Sequence, residues 1–390
     1  MNRKDIKNTG KKEGCLFLLL LVFMCLSCQQ QPTIGNRLSA DEFLSVEDSA
    51  LAHADTCSDS IVVKYARGLR VDYRSDGIHV FISNPADTSR HSQEEEIVID
   101  QPASRFICTT ALQLGNFEVL GLEDRIVGMN TLRNLFSPAM HRQLEDGTTV
   151  KIGREGNFDQ EKVIATQPDY IFVSASKHGG FEILRNCGIP IISHHGYKET
   201  NPLGQAEWIK LVGLLTGETH RANAVFSEIE KKYLTLQEEV ARTCDGQALP
   251  TVMSGRQIRD GWYVVGGRSY MARLFHDAGA RYVMDDNTQT GGVTLDFEAA
   301  YVRGVHADFW QMDGSHNGDF TLQTLRGEDE RYATMDAFKS QQVIFCNFAQ
   351  TPYRELAGVQ PHYLLADFVK AFHPDILPNY SPHYYHLILP

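Results

Sequence analysis

The sequence predicts an α/β protein of two lobes, each a mostly parallel sheet flanked by helices, joined by one long α-helix. Three patterns predict this. Between about residues 104 and 195, short apolar strands alternate with short helices: "SRFIC", a helix carrying Leu112, Phe117, Leu120 and Leu122, then "IVGM", "DQEKVIATQP", "DYIFVSA", "GFEILRNCG" and "IPIISHH". Strands that are apolar throughout and linked by helices belong to parallel sheets covered on both faces. A long amphipathic helix then stands apart from about Glu218 to Thr243, with Ala222, Val225, Phe226, Ile229, Tyr233, Leu236 and Val240 at spacings of three and four. Its roughly 26 residues span about 39 Å, enough to reach between two lobes. After it, "LPTVMSG" opens a second alternating series that runs to the C-terminus.

The elements follow in order. The first segment joins "MNRKDIKNTGKKEG", which is basic, to the apolar "CLFLLLLVFMCLSC". That apolar core is too short to span a bilayer permanently, so residues 1–27 are expected to be a signal peptide. Cys28 follows "CLS" and precedes "QQQPT". The stretch resembles a bacterial lipobox, although Cys25 stands where such signals usually carry leucine. Lipidation of Cys28 is therefore expected, with the mature chain anchored at the periplasmic face of the envelope. Residues 28–58 are small and polar and form a tether. Two alternating strands come next, "IVVKYARGLRVDYR" and "GIHVFISN", with a turn at Ser75-Asp76-Gly77. The first lobe is assigned to 59–215, the linking helix to 216–245 and the second lobe to 246–390.

At 390 residues the chain is long for one domain, and its hydrophobic fraction of 42% is ordinary for a globular protein. The net charge is −12, and loss of five basic and two acidic residues with the signal leaves −15. Such a body is a poor nucleic-acid binder. Beyond the lipobox, Cys57, Cys108, Cys187, Cys244 and Cys346 stand singly, without any CxxC, which argues against a disulfide scaffold or zinc ribbon. There is no GxSxG, HExxH, GxGxxG or GxxxxGK[ST], so no hydrolase, metalloprotease, dinucleotide or P-loop fingerprint is present.

The stretch "GWYVVGGRSYMARLFHDAGARY" reads as an aromatic strand, a glycine turn and an amphipathic helix capped by Ser269 and closed by Gly279. A glycine turn before a helix offers N–H groups to an anion, and Arg268 adds a forked donor. An ordinary strand-to-helix turn is the other reading.

The blocks "LEDRIVGM", "KIGREGNFDQEKVIATQPDYIFVS", "CGIPII" and "WYVVGGRSYMARLFHDAGARYVMDDNTQTGGVTLDFEAAYVRGVHADFW" cover roughly residues 104–373. In this order, behind a lipoprotein signal, they resemble the substrate-binding proteins of ABC importers for ferric siderophores, haem and cobalamin. The leading hairpin and "PHYLLADFVKAFHPDILP" are similar to the lipoprotein variant of the Bacteroidetes type. The resemblance implies the class III periplasmic-binding fold, a ligand in the interlobe cleft, an ABC permease as partner, a monomer, no enzymatic activity and no resident cofactor or metal; the single connecting helix makes the lobes semi-rigid, so closure on binding is expected to be small. The expected ligand is a ferric siderophore. Haem or cobalamin on the same module, a free-metal binder and an enzyme of similar fold are the alternatives.

On that frame the strand-end loops supply the candidate ligand contacts: Arg133, Arg154, Lys177, His195 and Tyr197 in the first lobe, and Arg256, Trp262, Tyr263, Arg268, Tyr270 and Arg354 in the second. Repeated arginine in an acidic protein points to an anionic ligand. His194 and His195 are neighbours on a strand and face opposite ways, so at most one reaches a given ion. The resemblance also implies that Glu161 and Glu298 dock the permease. Otherwise they stabilise the starts of the helices they sit in. In the terminal "SPHYYHLILP", packing is the expected role of the tyrosines and histidines.

Overall fold

The computed structural model describes residues 58–390 apart from 88, 90–93, 131, 133, 155 and 175–180. Cys28, the signal segment, nearly all of the tether, Arg133 and Lys177 lie outside the described residues. The described chain first forms an antiparallel meander of β1 (Leu69–Arg74), β2 (Gly77–Ile82) and β3 (Glu95–Ile99). Arg74 pairs with Gly77, so the turn sits at Ser75-Asp76 as the sequence indicates, and Gly77 takes a φ of 141° that only glycine adopts readily. Residues 61–68, expected to extend the first strand, are irregular. Their amides turn instead to a carboxylate: Glu207, fully buried, accepts from the N–H groups of Lys64, Tyr65 and Ala66 and from Lys210 Nζ.

The first lobe runs β4 (Phe106–Cys108), α1 (Ala111–Val119), β5 (Ile126–Met129), α2 (Pro138–Asp146), β6 (Val150–Lys151), β7 (Gly153–Arg154), β8 (Asn157–Phe158), α3 (Gln160–Ala165), β9 (Tyr170–Val173), α4 (Phe181–Arg185) and β10 (Ile191–Ser193). Its main sheet has the order β10-β9-β4-β5-β6 and is parallel throughout. Every residue of β4 and β5 is buried, which is why these strands read as unbroken apolar runs. Thr110 starts α1 with a reciprocal capping box to Gln113.

Helices α5 (Pro202–Ala206) and α6 (Ile209–Thr216) lead into α7 (Thr219–Thr243), the 25-residue linking helix. Its apolar stripe is buried along its whole length, from Ala222 to Val240. The second lobe follows with β11 (Thr251–Ser254), β12 (Arg256–Ile258), β13 (Gly261–Val265), α8 (Tyr270–Asp277), β14 (Arg281–Tyr282), β15 (Gly292–Leu295), α9 (Phe297–Gly304), β16 (Phe309–Gly314), α10 (Leu322–Glu328), α11 (Asp336–Lys339), β17 (Val343–Asn347), α12 (Pro361–Phe372) and β18 (Tyr385–Leu387). Its sheet order is β14-β11-β16-β17-β18, parallel except for β18. The aromatic strand β13 is not in that sheet. It is the middle strand of a separate antiparallel sheet, β12-β13-β15.

One apolar core runs through both lobes and α7, which packs on α6 and α12. Tyr233 of α7 donates to Asp277 of α8 at 2.7 Å, fixing the helix to the second lobe. The lobes also meet directly. Gly115 of α1 lies against the backbone carbonyl of Glu355, and the Glu355 carboxylate accepts from the amides of Phe136 at 2.8 Å and Ser137 at 3.2 Å. Asn134 Nδ2 donates to the Phe348 carbonyl at 2.8 Å.

The terminal segment packs, as its composition suggests. Asp367 of α12, fully buried, accepts from Tyr380 Oη and from the amides of His383, Tyr384 and Tyr385 at 2.7 to 2.9 Å. Asp367→Ala would leave these donors buried and unpaired. It should lower the unfolding free energy by about 3 kcal/mol or more, read from urea denaturation of the purified chain.

Candidate functional site

The carboxyl ends of the parallel strands of both lobes open on one cleft, the position where open α/β sheets bind ligands. A cavity of about 390 Å³ lies there. The first lobe lines it with Thr109 to Leu112 after β4, Asn130, Leu132 and Asn134 after β5, Ser174 after β9 and Tyr197 after β10. The second lobe contributes Ser315 after β16 and Arg354 after β17. A cavity of about 540 Å³ adjoins it, sharing Asn130, Leu132 and Asn134 and reaching His141, Glu145 and Lys151.

Several polar atoms in this cleft are unspent. The Arg354 guanidinium lies 4.7 Å from the centre of the Phe348 ring, which orients it, and it has no ion-pair partner among the described residues. Tyr197 Oη and Asn130 Oδ1 are buried without a hydrogen-bond partner, although Asn130 Nδ2 donates to the Thr109 carbonyl at 3.1 Å. Asp313 stands near the end of β16, two residues before Ser315. Desolvation by the surrounding protein raises its pKa, against the opposing pull of Gln311, Tyr385, Arg256 and Arg354. The cleft thus combines an oriented cation with unpaired hydroxyl and amide oxygen atoms.

Of the described candidates read from the sequence, Tyr197 and Arg354 line the cleft. The others are placed elsewhere. Trp262 is fully buried, its Nε1 donating to the Ser254 carbonyl at 3.1 Å and its indole stacked on Trp310 at 5.5 Å. Strand alternation explains this: on β13, Trp262 and Val264 face the core and Tyr263 faces out, 46% exposed over Gly292. Arg256 is committed to Glu328 by a two-pronged ion pair at 2.6 and 2.7 Å. Tyr270 sits at the base of α8 near the phenols of Tyr233, Tyr353 and Tyr384, its hydroxyl buried and unpaired and its pKa pushed up by that burial. Arg154 is exposed on β7, outside both cavities. Arg268 is exposed and lines a different groove. The arginine argument for an anionic cleft therefore reduces, among the described residues, to Arg354.

His194 packs on Trp208 at 4.6 Å, and burial, reinforced by His195, lowers its pKa to about 3. His195 is half-buried outside both cavities, its pKa also lowered by burial and by Lys198. Both rings are neutral at neutral pH. Among the described residues no three His, Cys, Asp or Glu side chains converge as a metal cage. The sequence reading missed Lys151 because β6 is only two residues long.

Glu161 and Glu298 occupy equivalent places. Each is the second residue of its helix, α3 or α9, exposed, and preceded by an aspartate cap, Asp159 or Asp296.

Residues 107–349 match the periplasmic binding protein family. An uncharacterized lipoprotein of Methanocaldococcus jannaschii is 24% identical over 299 residues, covering 74% of this chain and 69% of that protein. An ABC-type Fe3+-hydroxamate transport protein from Saccharomonospora viridis aligns with a TM-score of 0.57 at 15% identity, over 72% of this chain and 96% of its own. A periplasmic heme-binding protein from Pseudomonas aeruginosa aligns with a TM-score of 0.55 at 19% identity, over 70% of this chain and 93% of its own. These likenesses establish the shared fold.

Beneath the cleft, burial and then the neighbouring Glu355 and Glu123 raise the Glu118 pKa to about 7, and its Oε2 has no partner. A raised carboxyl favours the folded state while protonated. That stabilisation is complete below the ordinary carboxylate range and is lost as the pH rises through about 7. Urea unfolding from pH 5 to 8.5 should show stability falling, with Glu118→Gln removing about 1 to 3 kcal/mol of that fall and buried Asp367, raised to about 7 as well, accounting for a further part.

Proposed function

Because the chain belongs to the periplasmic binding protein family, we propose that it captures an iron–siderophore complex in the interlobe cleft and delivers it to an ABC permease. The chain is a binding protein of the ABC-importer type, working outside the cytoplasm, and not an enzyme. The observation that supports capture is the cleft between the two sets of strand ends, with the unpaired Arg354 guanidinium, Tyr197 Oη and Asn130 Oδ1 directed to one space. A forked cation beside hydroxyl and amide groups suits the oxygen-rich shell of a ferric chelate, whose hydroxamate, catecholate or carboxylate oxygens are anionic or strongly accepting. The hydroxamate-transport neighbour supports that choice of cargo, and the heme-binding neighbour supports the alternative. On this reading Cys28 carries the lipid that holds the protein at the membrane.

Purified protein exposed separately to ferric siderophores, haem and cobalamin, then desalted, should retain the absorption of a ferric siderophore. Retention of haem or cobalamin alone would replace the cargo assignment. Arg354→Ala should weaken the retained ligand about ten- to hundredfold by fluorescence titration. Delivery rests on Glu161 and Glu298, which would meet cationic residues of the permease, one from each lobe. The Glu161→Lys, Glu298→Lys variant should keep solution affinity near wild type and lose uptake in cells, because each lysine then faces a like charge. Normal uptake by the folded double variant would overturn the docking role and leave the glutamates as stabilisers of their helix starts, worth about 0.3 to 1 kcal/mol each.

A further inference from the structure

A second groove lies outside the cleft. It has a volume of about 880 Å³, runs along α8 and the edge strand β14, and shares no lining residue with either cleft cavity. One wall belongs to the second lobe, from Leu249 through the Gly267-Arg268-Ser269 turn to Arg281. The other comes from Arg67, Pro85, Ala86 and Thr200, so the segment that leads into the N-terminal meander helps to build it.

Its charge is opposite to that of the molecule. In a chain of net charge −12, the groove gathers Arg67, Arg268, Arg273, Arg281 and His276 against one acid, Asp285. Arg273 is held by Asp277 at 2.8 Å, and the hydrogen bond His276 Nδ1 donates to the same carboxylate raises the His276 pKa. Arg67, Arg268 and Arg281 are exposed and have no ion-pair partner among the described residues. Three unpaired guanidinium groups facing one space repel each other, and a bound anion relieves that repulsion while accepting forked hydrogen bonds. Between the charges the lining is apolar, with Pro85, Ala86, Leu249, Ala272 and Ala280. A charged rim around an apolar floor fits an organic molecule with separated anionic groups better than a single inorganic ion.

We infer that this groove is a second binding site, for a small soluble polyanion whose carboxylate or phosphate groups bridge Arg67 of the N-terminal segment to Arg268 and Arg281 of the second lobe. The bridge would tie the N-terminal segment to the C-terminal lobe, so occupancy should raise the melting temperature as well as give a binding signal.

The test uses the mature chain with citrate and pyrophosphate as probes, by isothermal titration calorimetry at low ionic strength. At least one probe should bind wild type, and Arg67→Ala, Arg281→Ala should weaken it by at least about tenfold while leaving cleft-ligand affinity unchanged. Arg354→Ala should leave probe binding unchanged. Equal probe binding by the folded double variant, absence of binding to wild type, or loss on Arg354→Ala would each overturn the proposal. Vesicles of phosphatidylglycerol and phosphatidylcholine form the last arm: binding to these with neither soluble probe bound would assign the arginines to a lipid surface and overturn the soluble-ligand assignment.

Discussion

The cleft depends on one buried carboxylate. Glu355 stands in the second lobe, 1% exposed, yet the amides it satisfies, those of Phe136 and Ser137, belong to the first. Separating the lobes would strand those amides and the charge together, a far larger cost than separating two apolar surfaces of the same size. The approach is possible because Gly115 has no side chain where α1 meets the Glu355 backbone. With the lobes held at this distance, Arg354, one residue earlier in the chain, is carried to the space that Tyr197 and Asn130 face from the other side. The linking helix completes the constraint, since its buried stripe joins a core common to both lobes.

What the sequence made legible were the features encoded over short distances. The period of α7 names its buried residues, and the fully apolar runs of β4 and β5 announce a sheet covered on both faces. The strand expected to carry His194 and His195 ends at Ser193, so alternation does not govern that pair; it does separate Trp262 from Tyr263, so that only one of the two aromatic rings of β13 faces out. Long-range pairing was not legible. Glu328 claims Arg256 across 72 positions, and nothing near either residue signals it. Likewise residues 61–68 have the composition of a strand but lose that geometry to Glu207, which lies some 140 positions away.

Arginine therefore proved a poor guide to the cleft. A guanidinium at a strand end has three fates here: ion-paired within its lobe, as Arg256; directed to solvent, as Arg154; or left open over a concavity, as Arg354 and Arg268. Composition cannot distinguish these, because the deciding partner lies elsewhere in the chain. Unpaired buried atoms are a better guide. Tyr197 Oη and Asn130 Oδ1 are costly to leave unsatisfied, and a site that binds a ligand is where such a cost is recovered.

The shared core of α7 with both lobes has a consequence for traffic at the membrane. Were the lobes to keep one spacing on binding, the outer surface would be nearly the same loaded or empty, and both forms would bind the same acceptor. Each empty molecule would then occupy a docking place that a loaded one could use. Import by such a system saturates with carrier abundance and declines when carriers outnumber cargo, so the useful number of copies per cell is set by the supply of ligand.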